Sequence, residues 1–216
     1  MKIVNSTKTI ILFIFILFNT FCDAQDLPEN GIYFDQNENK ISKKEFLIIA
    51  QKNNLMIAKN DSLEKYRLLP KDRTERGKIN NLEEIILKIE ERTNSQIDRT
   101  KPLVAIFYPG KDPYNSSGTA TRQSYKEWFT TLEKKIFKIS KTKPIYLYRR
   151  NEGLEKFDGI IKWYKDPENI IEKTFFRFHY PCYSYVIVSP NGNYISFFGE
   201  FSKDMLWTHL KELKKQ

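Results

Sequence analysis

Tyr185-Val-Ile-Val-Ser189, Pro190-Asn-Gly-Asn193 and Tyr194-Ile-Ser-Phe-Phe198 form the stretch that decides the fold. Two short runs rich in β-branched and aromatic residues flank a turn containing Asn191-Gly192. That dipeptide accepts the positive φ angles demanded by a tight, right-twisted hairpin, so the two runs are expected to pair antiparallel. Working back along the chain, Leu103 to Tyr108 is an unbroken apolar run of strand length, as expected of a strand buried on both faces. A long loop, Pro109 to Ala120, follows it. Thr121 then opens an amphipathic helix whose Tyr125, Trp128, Phe129, Leu132, Ile136 and Ile139 share one face. Pro144 to Tyr148 is the second strand. Asp166-Pro167-Glu168 brings together an N-cap residue, a proline at the first helical position and an acid in the first turn, which predicts a helix from Pro167 to about Phe176. Beyond the hairpin, Ser202 caps a last helix carrying Met205, Leu206, Leu210 and Leu213 inward. Strands joined through a helix are normally parallel, so the fold class is α/β, with a mixed four-stranded sheet flanked by helices on both faces.

Residues 25–100 read as a small α+β segment before this domain. Ile32 to Phe34 is a strand candidate, and Ser42 with Glu45 forms a capping box for a helix that ends near Asn53. Leu55 to Ala58 and Lys65 to Leu69 look like a hairpin. Leu82, Ile85, Ile86 and Ile89 line one face of a second helix opened by Asn81 and Glu84. Arg73 to Lys78 reads as a charged breaker containing Gly77, and Thr93 to Lys101 as a polar connector to the domain of residues 101–216.

The element order, together with Tyr185-Val-Ile-Val-Ser-Pro-Asn-Gly-Asn-Tyr-Ile and Gly199 downstream, resembles the thioredoxin-like fold and its closing hairpin over residues 101–216. Phe107-Tyr108-Pro109 is also similar to the peroxiredoxin branch. The resemblance implies that a reactive cysteine lies between the first strand and first helix, where free amides at the helix N-terminus stabilise a thiolate. Phe107 to Thr121 contains no cysteine, and Ser116 or Ser117 stands near the peroxidatic position. A serine hydroxyl forms neither a sulfenic acid nor a mixed disulfide, so the redox dithiol is absent from this place. Pro113 or Tyr114 occupies the place of the family's threonine. Tyr183 or Ser184 occupies that of its cis-proline, with Pro181 a little upstream.

The expectation is therefore a binding or accessory module, with Ser116, Ser117, Thr119 and Thr121 as the candidate binding residues on the loop before the helix. The alternative is a monothiol enzyme for disulfide or peroxide chemistry. Its candidate thiol is Cys182, with His179 nearby to depress its pKa. Against this stands the plain reading of Cys182 as a small packed residue. His179 and His209 are the only histidines, no metal-ligand spacing occurs, and neither a metal nor another cofactor is expected. A Gly-x-Ser-x-Gly elbow is absent. Trp163, Tyr164, Phe175, Phe176, Phe178, Tyr180 and Tyr183 crowd one region, where core packing is the first expectation for such residues.

The compartment is read from the N-terminus. Lys2 and Lys8 precede an apolar run from Ile10 to Phe18, and Cys22 and Ala24 stand at −3 and −1 of a cut before Gln25. Residues 1–24 thus read as a signal peptide, placing the mature chain in the periplasm or outside the cell. The run is roughly half of the ~20 residues a bilayer span needs, so no permanent membrane span is expected. Lipidation at Cys22 is the minor alternative. After such a cut Cys182 is the sole cysteine and no internal disulfide can form. The chain has 216 residues, 36 Lys and Arg against 27 Asp and Glu, and a formal charge of +9, which leaves the cleaved chain basic. Because the two signs are interleaved and no dense basic run carries stacking aromatics, the expected partner is an unidentified envelope protein and not nucleic acid.

Overall fold

The computed structural model describes residues 27–36, 39–60, 64–111, 120–178, 180 and 182–215. The chain divides into two units, residues 1–30 and 31–216. Of the first, residues 27–30 are described and end in a turn; the signal-peptide reading of residues 1–24, Cys22 included, falls outside the described residues.

The second unit is mixed α/β. In chain order it contains β1 (Ile32–Phe34), β2 (Lys40–Ile41), α1 (Lys43–Lys52), β3 (Met56–Asn60), β4 (Lys65–Leu69), β5 (Thr74–Lys78), α2 (Leu82–Thr93), β6 (Leu103–Tyr108), α3 (Arg122–Ser140), β7 (Ile145–Tyr148), β8 (Trp163–Lys165), α4 (Ile170–Phe175), β9 (Ser184–Val188), β10 (Asn193–Phe197) and α5 (Lys203–Leu213). They build two sheets, ordered β2-β1-β4-β3 and β5-β10-β9-β6-β7-β8. In the larger sheet β6 is parallel to β7, and β7 to β8, while β9 runs antiparallel to β6 and to β10.

β6 is buried along its whole length, and its alternation divides the core. Val104, Ile106 and Tyr108 face α3 and α5, meeting Phe129, Leu132, Ile136, Leu206 and Leu210. Ala105 and Phe107 face the other way, toward Ile85, Ile86 and Ile89 of α2 and Ile170, Ile171 and Phe175 of α4. Ala58 and Leu69 bring the smaller sheet onto that second layer. The far side of the smaller sheet is covered by α1, whose Phe46 packs on Tyr33 with ring centroids 4.9 Å apart. Ser42 and Glu45 form the expected capping box at the start of α1, and Ser202 caps α5 through Met205 N–H. Gly192 takes φ +86 in the β9–β10 turn, and a Cβ there would stand 2.3 Å from the Ile79 carbonyl oxygen, so this glycine is required by both backbone and space.

Three expectations need correction. The sheet has six strands where four were expected. Arg73 to Lys78 is no breaker: Thr74–Lys78 is β5, an edge strand that needs only β10 as neighbour. Its charges are held on partners, Glu75 on Arg67 of β4 and Arg76 on Glu212 of α5, the latter at 2.9 Å. An edge strand therefore tolerates a polarity that no periodicity reveals. β8 escapes notice because three residues are too few to display a period. The helix expected from Pro167 is a 3-10 turn at Pro167–Asn169 followed by α4, because Glu168 and Asn169 take φ +49 and +55, outside the right-handed helical region. The connector at residues 93–101 joins parts of one sheet system, with β5 on its N-terminal side paired to β10.

Candidate functional site

Tyr108 ends β6, the strand that precedes α3 in the chain. Phe107 pairs with Ser184, so the segment leading into β9 reaches the same corner. Cys182 lies in that segment, half-buried, with its backbone left-handed at φ +69. Tyr183 next to it stacks on Trp163 at 5.7 Å and lies 5.5 Å from Tyr108 and 5.9 Å from Phe157, ring centre to ring centre. Tyr125, in the first turn of α3, meets Phe157 edge-on at 5.0 Å. Five rings from five places along the chain, β6, α3, the β7–β8 connection, β8 and the approach to β9, thus close the corner. Burial pushes the Tyr183 hydroxyl well above the ordinary tyrosine range, with Tyr108, Tyr125 and Cys182 adding to the effect.

The β7–β8 connection, residues 149–162, crosses the α3 side of the sheet without a helix and contains a short 3-10 turn at Glu155–Phe157. Tyr108 pins it by donating its hydroxyl to the Glu152 carbonyl at 2.8 Å. Gly153 permits this approach, since a Cβ there would stand 2.8 Å from that hydroxyl oxygen. Arg122 at the start of α3 donates to the Asp158 carbonyl. Between this crossover and the sheet edge lies an open cleft of about 640 Å³, whose wall includes Tyr148, Leu154, Ile160, Ile161 and Trp163 with the carboxylates of Glu155 and Asp158. Among the described residues Trp163 Nε1 is buried without a hydrogen-bond partner. A concave, mixed apolar and polar wall of this size suits a ligand or a partner's side chains.

Asp166, directly after β8, is 1% exposed and holds the start of α4, accepting from Ile171 N–H at 3.1 Å and Glu172 N–H at 2.9 Å. Burial raises its carboxyl to about 6, against the lowering effect of those two amides. The folded state thus favours the protonated form. The stability tied to this proton is fully present below about pH 4 and is lost as pH rises through about 6, at a cost of about 3 kcal/mol. Unfolding free energy measured from pH 4 to 7 is expected to fall by that extra amount in the wild type compared with Asp166→Asn; parallel curves would refute it.

Of the residues singled out from sequence, Thr121 is the N-cap of α3, its hydroxyl accepting from Ser124 N–H at 3.2 Å. Its oxygen already serves the helix. Ser116, Ser117, Thr119 and His179 lie outside the described residues, as does any approach of Cys182 to the two serines. His209 is a core residue, with Nδ1 2.7 Å from the Tyr185 hydroxyl and its pKa lowered by burial and then by Arg76. The crowded aromatics divide between the two core layers: Trp163 and Tyr183 on the α3 side, Phe175, Phe176 and Phe178 on the other. Sequence reasoning passed over the crossover as a site; its one signal was a tryptophan just after a polar, glycine-containing stretch. Among the described residues no group of His, Cys, Asp and Glu could hold a metal ion, and no helix is long and apolar enough to cross a membrane.

The chain matches no protein-family model, no curated protein and no solved structure.

Proposed function

We propose that the chain is a secreted or periplasmic binding or accessory module of thioredoxin-like architecture that lacks the redox dithiol. The observation that carries this reading is the segment from Pro109 to Thr121, which joins β6 to α3 and contains no cysteine. The architectural part draws support from the adjacent strands β7-β6-β9-β10, with β6 and β7 parallel and the last pair a hairpin. α3 and α5 on one face and α4 on the other add to it. Export is supported by the basic, then apolar, then small-residue order of the first 24 residues. The partner is an envelope protein, and the cleft beside Trp163 is the place where it binds.

A second reading, monothiol chemistry at Cys182, is favoured by that residue's half-buried position at the carboxyl end of β6. The rate of Cys182 alkylation against pH separates the two. The module requires slow labelling with a midpoint at or above the ordinary thiol value of ~8.5. A midpoint well below that value, with disulfide-reducing or peroxide-reducing turnover lost in Cys182→Ser, would establish the enzyme instead.

A further inference from the structure

The geometry points to the free edge of β8 as a docking site for an extended peptide of a partner protein, which adds a seventh strand and inserts an apolar side chain into the cleft beside Trp163. β8 is the last strand of its sheet. Asp166 N–H donates to the Tyr148 carbonyl at 2.9 Å, and Lys165 pairs in register with Tyr148. Main-chain groups of successive residues in a strand point to opposite edges, so Tyr164, like Asp166, turns its N–H and C=O to β7. Trp163 and Lys165 then turn theirs outward. Among the described residues no main-chain bond engages them on that side.

An edge that presents N–H and C=O in alternation is recognised by another backbone in extended form, and the neighbouring pockets then select its side chains. Here the selection is legible. A residue placed beside Trp163 on the added strand faces the same side of the sheet as Trp163, which is the side of the cleft walled by Leu154, Ile160 and Ile161. That position takes a large apolar side chain. Lys162, exposed and directly before Trp163, favours an acidic residue next to the apolar one, whereas the Lys165 ammonium already donates to the Arg149 carbonyl. The occupant is thus an extended segment in which an acidic residue adjoins a large apolar one. Lysines on an edge also deter pairing in many sheets, which is the outcome the experiment must be able to return.

This inference rests on the binding-module reading, yet it fails separately: a reactive, turning-over Cys182 would sink the module, whereas the edge is tested by removing main-chain donors from the strand and from the peptide. A phage library of short random peptides is panned on the full chain and counter-selected on Lys165→Pro, which removes one outward N–H and none that faces β7; Lys165→Ala is the control for losing the ammonium and its bond to the Arg149 carbonyl. Selected peptides are then synthesised with N-methyl groups on alternate residues in each of the two registers. The expected result is enrichment of sequences in which an acidic residue adjoins a large apolar one. Their affinity falls about tenfold or more on N-methylation in one register only, and by a similar factor for Lys165→Pro but not for Lys165→Ala, with unchanged circular dichroism spectra. No enrichment over the counter-selection, or equal affinity for both N-methylated registers, would overturn the proposal. So would a dimer of the chain that Lys165→Pro dissociates, since the edge would then belong to a second copy.

Discussion

Phe157→Ala is expected to destabilise the protein by about 4 kcal/mol, within the range for deleting a fully buried phenylalanine side chain. Phe157 has no exposed surface and stands among Tyr125, Phe129, Trp163 and Tyr183, with ring centroids 5.0 to 6.0 Å away. These neighbours come from α3, β8 and the approach to β9, elements that cannot all move inward together. The space left by the ring therefore stays largely unfilled, and its lost contacts are not recovered. Phe157 is also the buried foot of the β7–β8 crossover, so the change removes what seats that segment on the sheet. Urea unfolding gives the stability, and amide exchange across residues 149–162 gives the local effect. A loss below about 1 kcal/mol would show that the ring cluster repacks and that the crossover is held by Tyr108 and Arg122 instead.

The second large effect is expected at Glu75. Its carboxylate pairs with Arg67, whose side chain is only 6% exposed and which also donates to the Gln36 carbonyl at 3.2 Å and lies over the Phe178 ring. The pair bridges β4 of the smaller sheet and β5 of the larger. Glu75→Ala takes the carboxylate away from a buried guanidinium, so it should cost roughly 3 kcal/mol. Arg67→Met should cost less, because the partner it leaves behind, Glu75, is the more exposed of the two and an apolar chain fills the same space against Phe178. The ordering of the two variants, measured by denaturant unfolding at one pH, is the sharper test. If Glu75→Ala proves the milder, the pair is not what fastens the two sheets.

Both predictions concern contacts between distant parts of the chain, and they mark where reading the sequence stops. The elements with strong local signals are legible. The Asn191-Gly192 turn, the Ser42/Glu45 and Ser202 caps, the stripes of α2 and α3 and the unbroken run of β6 each express a preference that holds within a few residues. β5 and β8 are not legible, because what makes Thr-Glu-Arg-Gly-Lys or Trp-Tyr-Lys a strand is the neighbour it pairs with. The same difference separates the candidate site residues. Thr121 and Cys182 are visible as residue types. The cleft is not, because its wall is assembled from the end of β7, the start of β8 and the crossover between them.

By itself the sequence determined the absence of a thiol between β6 and α3, the single cysteine remaining beyond residue 24, and the α/β succession with its closing hairpin. These follow from composition and short-range conformational preference. The tertiary structure alone decided that the charged stretch Thr74–Lys78 completes one edge of the sheet, that β8 forms the other, and that five rings and a cleft meet at the corner beside Cys182. The reason is that strand pairing and close packing are energies between residues far apart in the chain, and no local window contains both partners.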